Sequence, residues 1–265
     1  MQKLHLGVAN SISANFEYDP LDTAHFAKQE GFKSIQIYLR ENWLEDHALL
    51  DKIKKIEPDF EFVLYHAEGF LNIDFPATGY FNQLYLLLNS ISQKNYLIHF
   101  DENIEIDKLL LLVEKLKFNS IKIFVETYFN NTGKDEAEKN IKKYMALFTL
   151  TKTQEKNLLP ALDIPRFFHK KLGFSVDEAL GWCYQLFNFF GNKDIPILLH
   201  LIDSHDSSQK RATYCPIGEG YIPYQELFDF ISKTNTPVSD IILEFEDKIN
   251  PLKSRKYMEK FFKFD

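Results

Sequence analysis

The sequence predicts an α/β protein built as one (β/α)8 TIM barrel, with residues 1–265 forming a single domain. Three observations lead there. Short apolar runs alternate along the whole chain with segments of helical periodicity, the pattern of repeated strand–helix units. Eight such units fit within 265 residues, and one barrel of this kind takes roughly 250. Six of the runs also end in an imidazole or a carboxylate: His66, His99, Glu126, Asp163, His200 and Glu244.

Taken in order, the first strand is Leu4 to Ala9 and its helix Asp22 to Glu30, closed by Gly31. Ser34 to Leu39 is the second strand, with a helix ending near Lys55. Phe60 to Tyr65 is the third, followed by a helix over Thr78 to Ser92. Tyr96 to His99 and the Leu-rich helix Ile106 to Leu116 form the fourth unit. Ile121 to Glu126 and Lys134 to Thr149, whose Lys/Glu face is solvated, form the fifth. Leu159 to Asp163, Ile197 to Leu201 and Ile241 to Phe245 complete the eight strands. An open doubly wound sheet is the alternative, but eight strands with polar ends spread along the whole chain favour closure.

An apolar run of four to six residues buries its body in a parallel sheet, so an ionisable residue at its end emerges at the C-terminal rim. Six such rims address one shared pocket. Carboxylates mixed with imidazoles are the donors that a divalent metal such as zinc, manganese or magnesium takes. Any one of these histidines alone reads as structural; a coincidence on six of eight strands does not. His5, His47 and His169 lack that support and read as structural or surface residues.

Composition narrows the partners. A formal charge of −7 disfavours nonspecific binding to nucleic acid, which depends on Lys and Arg neutralising phosphates. The run Lys52-Ile-Lys-Lys55 reads as a solvated helix face. Cys183 and Cys215 stand far apart, outside the spacing of a zinc ribbon or disulfide framework. The opening residues Met1-Gln-Lys-Leu-His-Leu-Gly-Val carry no long apolar stretch, and no run reaches transmembrane length. The expectation is a cytoplasmic enzyme with a small-molecule substrate and no membrane partner.

Beyond these features the chain resembles the xylose-isomerase-like barrels, which include sugar isomerases and epimerases and the apurinic endonucleases of the endonuclease IV type, AP endonuclease family 2. The resemblance covers nearly the whole chain. It is carried by Ile35-Gln-Ile-Tyr-Leu-Arg-Glu-Asn-Trp43, His66 with Asn72 and Pro76, Glu126-Thr127, Asp163, His200-Leu-Ile-Asp203-Ser204, Ile217-Gly-Glu-Gly220 and Leu243-Glu244. In the endonuclease branch, residues matching His66, His99 and Glu126 hold one zinc; Glu126, Asp163, His200 and Glu244 would hold a second. A third zinc of that branch has lost its ligands here, since Arg166, Ala212 and Tyr214 occupy their places. Gly69 and Phe70 stand where that branch has a tyrosine and a leucine in its DNA-wedging loop.

What survives is the set Glu126, Asp163, His200 and Glu244 of the sugar epimerases. The resemblance therefore implies a metal-dependent isomerase or epimerase acting on a carbohydrate, in which Glu126 and Glu244 move the proton and Asp163 and His200 serve only as ligands. His66 and His99 contact the sugar or hold a second metal. Arg166 is expected to bind a substrate hydroxyl, carboxylate or phosphate, or else to form a salt bridge. Trp43 and Phe70 are expected to cover the apolar face of a sugar ring. The alternative is a two-metal phosphodiesterase acting on abasic DNA or another phosphoester.

Overall fold

The computed structural model describes residues 4–67, 81–117, 120–150 and 157–265. Its strands are β1 (His5–Ala9), β2 (Ser34–Leu39), β3 (Phe62–Ala67), β4 (Asn95–Phe100), β5 (Lys122–Thr127), β6 (Leu158–Asp163), β7 (Ile197–Leu201) and β8 (Val238–Leu243). Each pairs in parallel with its sequence neighbours, and β1 pairs with β8, so the sheet closes into a barrel. The helices α1 (Pro20–Gln29), α2 (His47–Ile56), α3 (Phe81–Ser90), α4 (Ile106–Lys117), α5 (Lys134–Leu150), α6 (Val176–Gly191), α7 (Tyr224–Thr234) and α8 (Asn250–Met258) follow the strands in turn. A two-stranded ribbon, Asp203–Ser204 with Tyr214–Cys215, is added beyond β7. Among the described residues no helix is long and apolar enough to cross a membrane. Both cysteines are buried and free.

Two strands differ from the sequence expectation by more than one residue, each for a local reason. The third strand begins at Phe62, because the Phe60 N–H bonds back to the Glu57 carbonyl at 3.1 Å and closes the short turn Glu57–Asp59. His66 is therefore a strand residue, not one past the end. The eighth strand starts at Val238 and carries an irregularity between Val238 and Asp240. The polar pair Ser239-Asp240 hid this from hydropathy. The helices α6, α7 and α8 were not assigned from sequence, although Ser175 and Glu178 form a full capping box at the start of α6.

Period two along the strands explains the whole interior. Ala9, Leu64, Leu97, Phe124, Ala161, Leu198 and Ile242 form one apolar cluster enclosed by the barrel. Apart from Ala9, each stands two residues before one of the six ionisable residues, so both point to the same face. Residues of the opposite parity, among them Ile35, Ile37, Val63, Tyr65, Ile98 and Val125, face the helices in the larger core cluster. The barrel is plugged by a layer of apolar side chains, and the ionisable residues form the layer above it.

Below the plug, His5 Nδ1 lies 3.1 Å from Asp240 Oδ1, and the Ser34 hydroxyl donates to the same oxygen at 3.0 Å. The hydrogen bond to Asp240 raises the His5 pKa above its ordinary 6.5, against the opposing effect of burial. A raised folded-state value means that the pair's stabilisation is complete below pH 6.5 and is lost as pH rises through the folded-state value. Chemical denaturation at pH 6 and pH 8 should show a loss of up to about 1 kcal/mol that disappears in His5→Gln. An unchanged pH dependence in that variant would assign the effect to other groups.

Candidate metal centre

Glu126 sits at the hub of the upper layer. Strand register places it opposite His99 on β4, and it places Asp163 opposite His200 across β6 and β7. His200 donates from Nδ1 to Glu126 Oε1 at 2.7 Å, and the same nitrogen lies 3.4 Å from Glu244 Oε1. His99 Nε2 lies 3.1 Å from Glu126 Oε2, in ion-pair contact but outside hydrogen-bond geometry. Gln36 Nε2, from β2, donates to Glu244 Oε1 at 2.8 Å. Glu126 is 2% exposed and His200 fully buried.

The electrostatics follow from this packing. Burial alone would raise the Glu126 carboxyl, but the His200 and His99 imidazoles overcome it and hold it well below the usual carboxylate range. Burial likewise pulls His200 down, yet Glu244 and Glu126 push it up to about 9, so the ring carries a proton that a metal held there would displace. His66 is driven well below 6.5 by burial and by His99, which leaves it a neutral imidazole, the form that ligates metal.

Among the described residues the donor atoms fall into two groups, each within 4.8 Å of one another: His66, His99 and Glu126, and Glu126, His200 and Glu244. Glu126 belongs to both. Nε2 of His66 and Nε2 of His200 are buried with no hydrogen-bond partner in the protein. Buried polar atoms are ordinarily paired, so two open imidazole nitrogens beside carboxylates fit a divalent metal. Three protein donors in either group leave coordination positions for a substrate, as catalytic metal sites do.

Asp163 is in neither group among the described residues, although it feels the charges of Glu126, Glu244 and His200. Its carboxylate pairs instead with Arg166 Nε. The short helix Ile164–Phe167, with Pro165 in its first turn, brings position i+3 back over the strand end. Burial raises Asp163 to about 7 despite the guanidinium. The Arg166 guanidinium carbon lies 4.1 Å from the centre of the Tyr128 ring, and Tyr128 stacks on His99 at 4.0 Å with planes 10° apart. Two groups cannot share one ring face at such distances, so Tyr128 is the layer between cation and imidazole.

A cavity of about 220 Å³ opens beside this centre, lined by Ala9, Asn10, Ser11, Tyr18, Gln36, Tyr38, His66 and Glu244. Pockets for drug-sized ligands run roughly 300–1,000 Å³, so this volume suits a smaller molecule. Trp43 does not line it. That residue sits on the turn Glu41–Glu45, packs against the core and lies 5.3 Å from the Arg40 guanidinium carbon. Phe70 lies outside the described residues.

Gln36 and Tyr128 were not singled out from sequence. Parity could have found both: Gln36 interrupts the apolar run Ser34–Leu39, and Tyr128 continues the period-two series from Phe124 through Glu126. Asp203 has a structural duty. Its buried carboxylate accepts from the N–H groups of Ser204, Gly218 and Gly220 and so fixes the Gly218-Glu219-Gly220 turn.

No protein-family model matches the chain, and no curated protein matches it. Solved structures do match over nearly their whole length. The crystal structure of the probable 3-DHS dehydratase AsbF from Bacillus anthracis superposes with a TM-score of 0.66 at 13% identity, covering 98% of this chain and 99% of that one. The IOLI protein with a bound zinc atom gives 0.66 at 13% identity, with 98% and 100% covered. D-allulose 3-epimerase from Methylomonas sp. gives 0.64 at 12% identity, with 99% of each chain covered. At these identities the likeness establishes a shared (β/α)8 barrel fold.

Proposed function

We propose that this protein is a divalent-metal-dependent isomerase or epimerase of a small hydroxy-carbonyl compound of the carbohydrate class. One observation carries the reading: Glu126 and Glu244 converge on a single imidazole, His200, and Glu244 also lines a cavity of about 220 Å³, a volume that suits a small molecule. The fold shared with a zinc-binding protein and with a sugar epimerase supports it.

Glu126, His200 and Glu244 would hold the metal, with His66 and His99 beside Glu126. When bound, a divalent cation polarises a carbonyl and its neighbouring hydroxyl and stabilises the enediolate charge. The remaining work falls to the chain. Glu244 lines the cavity, and its side chain is 27% exposed, so it can reach a substrate carbon and take or return a proton. Gln36 fixes its orientation through Oε1. Glu126, held as an anion between two imidazoles, suits the opposite face of the substrate and the positioning of His200. Arg166 holds Asp163 and presents its guanidinium on Tyr128. The apolar layer below excludes water from beneath the substrate.

The test is metal content of protein purified without chelators, together with solvent-deuterium exchange into a panel of ketoses followed by proton NMR. The expected result is a bound divalent metal that is lost in His200→Asn, and metal-dependent exchange that falls about 100- to 10,000-fold in Glu244→Gln. A dinuclear centre that needs His99, hydrolysis of a phosphodiester and no exchange into any ketose would sink the proposal and favour the phosphodiesterase.

A further inference from the structure

We infer that the end of the substrate held between β1, β2 and β3 is uncharged and hydroxylated, and that Ser11 and Gln36 select it. The inference rests on the reading of the site as one for a small hydroxy-carbonyl compound and names which such compounds it takes.

Within the cavity lining, Ser11 Oγ and Gln36 Oε1 are buried and have no hydrogen-bond partner in the protein. They supply a hydroxyl that can donate or accept and an amide oxygen that only accepts. Their neighbour Asn10 shows the contrast. Its amide is fully used, donating to the Tyr18 and Tyr38 carbonyls at 2.8 and 3.0 Å and accepting from the Tyr38 N–H at 2.8 Å, so it serves as a rigid wall.

The orientation of Gln36 is fixed by chemistry. Glu244 offers acceptor oxygens, so the amide end facing it at 2.8 Å must be the NH2 group. That turns Oε1 away from Glu244. Gln36 is only 2% exposed, which leaves a deeply buried acceptor at the cavity wall with nothing in the protein to receive from. An acceptor in the same lining as a hydroxyl that can donate or accept matches neighbouring hydroxyls of a ligand, each of which gives one hydrogen bond and takes another.

Charge disfavours a phosphate at this end. Among the described residues no Lys or Arg lines the cavity, and its one acidic residue is Glu244. A phosphate carries about −1.5 to −2 at neutral pH and would find no cationic side chain in the lining to pair with. The Arg40 guanidinium carbon, outside the lining itself, lies 5.3 Å from the ring of Tyr18, a lining residue, and 5.3 Å from that of Trp43, and Arg166 and Lys171 approach the Tyr128 ring at 4.1 and 5.9 Å.

The experiment is calorimetric titration of the metal-loaded protein with D-fructose, D-allulose and D-tagatose and with their 6-phosphates, repeated in Ser11→Ala and Gln36→Met. Ser11 Oγ makes no bond within the fold, so its removal tests ligand contact without unfolding. The expected result is that at least one neutral ketose binds, that its phosphate binds more weakly, and that Ser11→Ala weakens the ketose about 3- to 10-fold, as loss of one neutral hydrogen bond does. Tighter binding of a phosphate, no binding of any neutral ketose, or unchanged affinity in both variants would overturn the inference. Solvent-deuterium exchange on the same samples separates the two failures. Ser11-dependent binding without exchange would reject the isomerase reading and keep the subsite, whereas exchange and ketose affinity that are both insensitive to Ser11→Ala would do the reverse; Gln36→Met also frees Glu244, so only its effect on affinity is read.

Discussion

Glu126→Gln should empty the metal centre and reduce turnover by about 1,000-fold or more, because one side chain serves both donor groups. The substitution keeps the volume but removes the anion that His200 and His99 face. It also puts an amide opposite the His200 N–H that Glu126 Oε1 accepts at 2.7 Å, so the amide must turn or lose that bond. Loss of a directly ligating carboxylate should exceed the 10- to 100-fold cost in metal affinity seen when an outer partner is removed. The His200 pKa, held at about 9 against burial by Glu244 and Glu126, should fall toward its ordinary value. Elemental analysis, turnover and NMR titration of His200 check the three parts separately. Retained metal with intact turnover would reduce Glu126 to a structural ion pair.

Gly7→Ala should cost about 3 kcal/mol or more, enough to prevent folding in a marginally stable barrel. An added Cβ would run into the carbonyl oxygen, carbonyl carbon and Cβ of Ser34 on the neighbouring strand. Gly7 and Ser34 are register partners, and the Ser34 hydroxyl is tied to Asp240 at 3.0 Å, so neither strand can give way without opening the β1–β2 seam. Gly31→Ala is the control. Gly31 has φ +73° with nothing within 4 Å of a built Cβ, so only the backbone conformation opposes the substitution, at roughly 1 kcal/mol. Urea denaturation of the two variants gives the comparison. Equal midpoints would show that the seam is not rigid.

Much of the fold and of the centre is legible in the chain because both obey short periods. The apolar body of a parallel strand is written as a continuous run, and a His or Glu that ends such a run must leave the sheet at one rim. His66, His99, Glu126, His200 and Glu244 came together on that logic alone. The same parity extended by one step marks Gln36 and Tyr128, yet neither ends an apolar run, and attention to ends passed over them. The missed helix α6 carried its capping signal in Ser175 and Glu178, but hydropathy gave it little contrast with the Phe-rich segments around it.

Asp163 shows where sequence stops. Its place at the end of β6 is as legible as that of Glu126, and both carboxylates stand above the same apolar layer. Which partner each carboxylate takes depends on three-dimensional distance. Arg166 is brought back by a single helical turn and captures Asp163, whereas His200 and His99 reach Glu126 across neighbouring strands. The sequence by itself determined the strand order, the inward parity and the ionisable layer, because each depends on residues only a few positions apart. Only the tertiary structure decided the pairing of charges, the two groups that share Glu126 and the pocket that brings Ser11 and Gln36 together. Those depend on register between strands and on barrel closure, which bring together residues as far apart as Gln36 and Glu244.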